Sequence, residues 1–66
     1  MSPKYNHIQV ELSGFDGNAF AILAKVSMAL QENNIPEKVR KKFFEQAISG
    51  DYNHLLRTCM SYVEVI

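Results

Sequence analysis

Three groups of residues in this 66-residue chain combine types and spacings that could do binding chemistry. The first is Gly14-Phe15-Asp16-Gly17-Asn18, directly ahead of an apolar, helix-periodic run. Glycine and asparagine are poor helix formers. Here they occupy a first turn, where backbone N–H groups lack intrahelical partners and the positive end of the helix dipole can hold a phosphate or carboxylate. A tight strand-to-helix turn explains the same glycines, and Asp16 brings a negative charge of its own. Neither a GxGxxG nor a GxxxxGKS/T nucleotide fingerprint accompanies the segment.

The second group is Ser49-Gly50-Asp51-Tyr52-Asn53-His54, with Arg57 one turn later. Tyr52 offers a stacking face, Arg57 a positive charge and His54 a ring nitrogen. A C′ glycine followed at once by an aspartate N-cap accounts for Gly50 and Asp51 without any ligand. The third group, Lys38-Val39-Arg40-Lys41-Lys42, carries four of the seven positive charges. Lys38, Lys41 and Lys42 share one helical face opposite Val39 and Phe43. Glu37 and Glu45 lie four residues either side of Lys41, as on a solvated surface; a phosphate-binding patch is the sharper alternative.

Catalytic and metal chemistry find little support. His7, His54 and Cys59 are too few and too scattered for a zinc site, and Cys59 lies on an apolar stripe, where a buried, inert thiol is expected. No carboxylate pairing suggests acid-base work, so no cofactor, no metal and no enzymatic activity are expected. One cysteine gives no intrachain disulfide, which favours a reducing cytoplasm. No apolar run approaches the length a bilayer needs, nor does a charged n-region precede one. Seven Lys and Arg against seven Asp and Glu argue against a nucleic-acid protein living on bulk electrostatics.

These groups must be positioned by a few elements. Residues 1–6 read as a flexible lead-in. His7 to Leu12 alternates, with Ile8, Val10 and Leu12 on one side, as in a half-buried strand. With Asp16 as N-cap, Phe15 and Phe20 take the N′ and N4 positions of a hydrophobic staple. A helix then runs from about Gly17 to Gln31. Its apolar residues Phe20, Ile22, Leu23, Val26, Met28 and Leu30 spread widely around the wheel, implying cover on more than one side. A second helix starts with Asn34 as N-cap, Pro36 in the first turn and Glu37 at N3; Val39, Phe43 and Ala47 form its apolar stripe, which Phe44 and Ile48 could extend. A third follows Asp51 with the stripe Tyr52, Leu55, Leu56, Cys59, Met60 and Val63. Residues 62–66 could end that helix or turn into a strand.

The expected fold is α+β and mostly helical, one domain over residues 1–66 with β-α-α-α order. A lone strand leaves both edges unpaired, so either the C-terminal tail or a second subunit pairs with it. So short a chain has little stability margin, which favours a homodimer or higher oligomer.

The stretches Val10 to Leu23 and Ser49 to Leu56 resemble a family of small proteins of bacteria and their phages, with a GxDGNAF helix start and an SGDYxHLL segment. Phe15 fills the variable place before Asp16. The resemblance spans most of the chain and carries no assigned activity; it marks Asp16, Gly17, Asn18, Asp51, Tyr52 and His54. By analogy with small phage-encoded proteins that lack catalytic apparatus, the chain is expected to be a phage- or prophage-associated cytoplasmic accessory protein that acts by occupying a host protein or sequestering a small nucleotide-like anion, in the manner of a counter-defence factor. The expected ligand residues are Asp16, Gly17, Asn18, Lys25, Tyr52, His54 and Arg57. A nucleic-acid regulator is the alternative, using helices two and three, the Lys38, Arg40, Lys41 and Lys42 face, and exposed Asn53, Arg57 and Ser61. A pure protein-interaction module is the third.

Overall fold

The computed structural model describes residues 3–12 and 17–66. Strand β1 (Tyr5–Val10) leads to helices α1 (Ala19–Glu32), α2 (Glu37–Ala47) and α3 (Tyr52–Tyr62), and the chain ends in strand β2 (Val63–Val65). β1 and β2 pair in parallel, Gln9 opposite Glu64 and Val10 opposite Val65, with an irregularity between Tyr5 and Gln9. Two parallel strands need a long crossover, and the three helices supply it. The fold is thus α+β and mostly helical, with the C-terminal tail as the partner of the first strand.

Burial alternates along β1 from exposed His7 to buried Ile8, exposed Gln9 and buried Val10, as a strand covered on one face requires. The strand begins earlier than its alternation suggests. Tyr5 and Asn6, expected in a flexible lead-in, belong to β1. The Lys4 N–H donates to the Ser61 carbonyl at 2.9 Å, and the Tyr5 ring lies 6.5 Å from that of Tyr62. These contacts reach across more than fifty residues, beyond what a local pattern can show.

The starts of α1 and α2 also differ from expectation. Asn18, not Asp16, caps α1: its side-chain oxygen accepts from the N–H groups of Phe20 at 2.9 Å and Ala21 at 3.2 Å. The helix therefore starts two residues later than the expected Gly17, and Phe20 does not reach the N4 place of a staple. Phe15 and Asp16 lie outside the described residues. Gly17 has a φ of +81°, the left-handed region that glycine enters without penalty. Asn34 belongs to the end of α1 rather than to the start of α2. It sits at C′ with a φ of +63°, while Ile35 N–H donates to the Leu30 carbonyl and Asn34 N–H to that of Gln31, both at 3.0 Å. This is the double closure of a Schellman turn, in which asparagine can replace glycine. Pro36 then becomes the N-cap of α2, without a side-chain cap bond, and Glu37 opens the first turn. The Asp51 cap of α3 stands as expected, its carboxylate accepting from His54 N–H at 2.8 Å.

The core lies between the sheet and the three helices. Val26, Leu30, Phe43, Ala47, Cys59 and Val63 are fully inaccessible. The radius of gyration, 10.7 Å, matches the ~10.8 Å expected for a compact 66-residue unit. Burial pushes the Cys59 thiol up to about 11, against a small lowering by a backbone hydrogen bond. Below pH 9 the thiol is protonated in both folded and unfolded chains. Between pH 9 and about 11 the unfolded chain ionises first, so stability should fall by about 2 to 3 kcal/mol across that window at 1.36 kcal/mol per unit. Urea titrations of wild type and Cys59→Ala from pH 8 to 11 measure this; the variant should lose most of the slope at the lower end. Tyr62, raised by burial and by the neighbouring Tyr5, acts in the same direction above pH 10 and persists in the variant.

α1 is less covered than its composition suggests. Ile22, Leu23, Val26 and Leu30 enter the core, but Phe20 is 75% exposed and Met28 59%. The expectation of cover on more than one side is not met within one chain. Phe20, Ala24 and Met28, at i, i+4 and i+8, form an exposed line beside the buried stripe.

Candidate functional site

The two marked helix starts converge. The N-terminal end of α1 meets the turn from α2 into α3 around a hollow of about 220 Å³, lined by Phe20, Leu23, Ile48, Asp51, Tyr52 and Leu55 among others. A methyl group placed on Gly17 would sit 3.5 Å from the Tyr52 hydroxyl. Its surroundings thus leave room, and the left-handed backbone is what selects glycine there. Phe20, Ile48 at 51% and Tyr52 at 43% form an exposed apolar rim. Burying large side chains normally stabilises by about 1.5 to 3 kcal/mol each; around this concavity three stay uncovered within the chain.

His54 holds the floor of this site together instead of facing a ligand. Its Nε2 lies 2.8 Å from the Gln46 carbonyl oxygen. A carbonyl only accepts, so Nε2 bears the proton. Ser49 Oγ, at 3.1 Å from the same nitrogen, itself donates to the Gln46 carbonyl at 2.7 Å. The Thr58 hydroxyl donates to the His54 carbonyl at 2.8 Å. The imidazole thus ties the last turn of α2 to the first turn of α3. Gly50 permits this, since a Cβ there would fall 2.8 to 2.9 Å from three carbons of the His54 side chain. Gly50 lacks the left-handed φ of the expected C′ glycine; close approach is what requires it.

Gln46 is the residue that the sequence reading missed. Besides its carbonyl, its side-chain oxygen accepts from the Tyr62 hydroxyl, so one residue connects the ends of α2 and α3. Nothing in an isolated, exposed glutamine announces that role. The prominence of Phe20 and Ile48 was also missed, although Phe20 stands off the Ile22, Leu23, Val26, Leu30 stripe and could have been separated from it.

The expected ligand residues do not form one cluster. Gly17 and Tyr52 meet, and Asn18 stands next to them as the α1 cap. His54 lies behind Gly50. Lys25 lines a different cleft, between α1 and β1, with Gln9, Glu11, Met28 and Glu32. Arg57 lies on an open hollow with Asn53 and Leu56. The cause is helical rotation: at about 100° per residue, Phe20 and Lys25 face ~140° apart, as do Tyr52 and Arg57. Among the described residues, the lining of the hollow between the helix starts therefore includes Asp51 and no lysine or arginine. Asn18 and Asp51 already bond the first-turn N–H groups of α1 and α3, leaving fewer donors for an anion.

On α2, Lys38, Lys41 and Lys42 are exposed. Arg40 is half-buried and its Nε–H donates to the Ile35 carbonyl at 3.2 Å, so it braces the α1–α2 turn. Asn53, Arg57 and Ser61 are exposed along α3. Among the described residues, no group of His, Cys, Asp and Glu could hold a metal, and no helix is long and apolar enough to cross a membrane. No protein-family model matches the chain, nor does any curated protein or solved structure.

Proposed function

We propose that the chain is a non-enzymatic accessory binding protein that occupies an apolar segment of a host protein in the cytoplasm of a bacterial host. The observation that carries this is the exposed rim of Phe20, Ile48 and Tyr52 around the hollow where both motifs meet. At about 220 Å³ the hollow is smaller than the ~300 to 1,000 Å³ of small-molecule sites. Among the described residues its lining is mostly apolar, with Asp51 and no cation, which is poor chemistry for a nucleotide and suits one or two apolar side chains anchored by a larger surface. Of the alternatives the sequence left open, occupation of a protein is therefore favoured over sequestration of an anion.

The test compares wild type with Phe20→Ser in affinity capture from bacterial lysate, followed by a thermal-shift series with linear and cyclic nucleotides. Because Phe20 is exposed, the substitution should leave stability within about 0.5 kcal/mol. A protein retained by wild type should fall at least tenfold with the variant, and the nucleotides should leave the melting temperature unchanged. A nucleotide-induced rise of several degrees that Tyr52→Ala removes would overturn the proposal in favour of an anionic ligand. Equal capture by both proteins would also overturn it.

A further inference from the structure

A second surface is independent of that rim. β1 pairs with β2 on one edge only, and among the described residues no strand covers the other. The Ile66 N–H donates to the Val10 carbonyl at 2.9 Å, and the Leu12 N–H donates to the Ile66 carbonyl at 3.0 Å. Even-numbered peptide groups here thus face β2. Over His7 to Leu12 the burial alternates regularly, so His7, Gln9 and Glu11 direct their N–H and C=O groups to the open edge. Beside that edge runs a cleft of about 240 Å³ against α1, lined by Gln9, Val10, Glu11, Lys25, Met28 and Glu32, together with Ala29.

We infer that this edge pairs antiparallel with the same edge of a second copy, about a two-fold axis at Gln9. The polar pattern selects both the partner and the register. With Gln9 opposite Gln9 of the second copy, His7 faces the second copy's Glu11 and Glu11 its His7. A ring N–H can donate to the carboxylate opposite it, and Glu11 is kept from facing Glu11, where like charges repel. An axis at His7 would instead set His7 against itself. The helix beside the edge repeats the pattern. The Met28–Ala29 step lies midway between Lys25 and Glu32, so an axis through the cleft brings Lys25 of each chain toward Glu32 of the other. Such self-complementarity is what an isologous interface requires. The pairing would also cover Met28, which one chain leaves 59% exposed, and protect a strand edge otherwise open to indiscriminate association.

Directly opposed residues in a hydrogen-bonded antiparallel pair have Cα atoms about 5.5 Å apart, within the 4.4 to 6.8 Å that a disulfide spans. Under mild oxidation at micromolar concentration, Gln9→Cys should therefore give a covalent dimer of about 15 kDa, twice the 7.5 kDa chain, on a non-reducing gel. His7→Cys should stay monomeric on that gel, because its two copies would lie four residues, roughly 14 Å, apart at 3.4 Å per residue. Native Cys59 is buried and should not interfere. Sedimentation equilibrium of the uncrosslinked wild type should show the dimer. Lys25→Glu should raise its dissociation constant at least tenfold, and the double variant Lys25→Glu/Glu32→Lys should recover it. A wild type that sediments as a monomer up to 100 µM, or equal crosslinking of the two cysteine variants, would overturn the inference.

Discussion

Phe43→Ala is expected to remove about 3 to 5 kcal/mol of stability. Phe43 is fully inaccessible and heads the fully buried side chains in size. Its ring meets Tyr62 edge-on, with centroids 5.1 Å apart, and Tyr62 in turn lies against Tyr5 of β1. Removing the ring opens a cavity among α2, α3 and the sheet. At 0.05 to 0.15 kcal/mol per residue, a chain of this length holds about 3 to 10 kcal/mol in total, so the variant should lose a large fraction of its stability. Urea denaturation followed by far-ultraviolet circular dichroism gives the number. A loss below 1 kcal/mol would mean that Phe43 is not the centre of the core.

Gly50→Ala should have the second largest effect, and it links the fold to the site. The added methyl falls 2.8 to 2.9 Å from Cβ, Cγ and Cδ2 of His54, closer than carbon atoms approach. Turning the imidazole away relieves the contacts to Cγ and Cδ2 and gives up its bond to the Gln46 carbonyl, while the contact to Cβ yields only to a shift of the α3 backbone. Overpacking of this kind costs about 1 to 3 kcal/mol, and the lost hydrogen bond adds about 1 kcal/mol. Because Ile48 and Tyr52 flank this turn, the apolar rim should lose its shape, weakening the proposed partner contact beyond the loss of folded chain. The measurement is a double-mutant cycle with His54→Ala, which removes two of the three clashing carbons. Gly50→Ala should cost clearly less in that background. An equal cost in both backgrounds would show that the histidine does not set the requirement for glycine.

Much of this architecture could be read locally. The alternation of Ile8 and Val10, the Leu55 and Cys59 part of the α3 stripe and the Asp51 cap are patterns within one element, and each is present in the structure. Tyr52 and Met60, expected on that stripe, are exposed, Val63 belongs to β2, and Thr58 and Tyr62 are buried in α3 instead. Departures occur where a distant partner decides. β1 starts at Tyr5 because Ser61 and Tyr62 lie beside it. Residues 63–65 become a strand because β1 offers an edge. Asn34 was read as a start signal, since asparagine serves both helix ends; the left-handed backbone that places it at C′ leaves no mark in the residue type. The site shows the same division. Both helix starts could be singled out from their glycines and caps, but their convergence, the bracing role of His54 and the part played by Gln46 depend on how α2 and α3 fold against each other. The scattering of Lys25 and Arg57 was already implicit in helical rotation. Phe20 misled most, because an apolar residue at a helix start suggests the core unless it is set apart from the buried stripe.

The central claim is that the rim formed by Phe20, Ile48 and Tyr52 makes contact with a partner protein. Backbone chemical-shift mapping of the isotope-labelled chain, titrated with the purified captured protein, tests it most directly. The largest shifts should cluster at Ala19, Phe20, Ile48, Tyr52 and Leu55. Shifts concentrated instead at Lys38, Lys41 and Lys42, with the rim unchanged, would contradict the account.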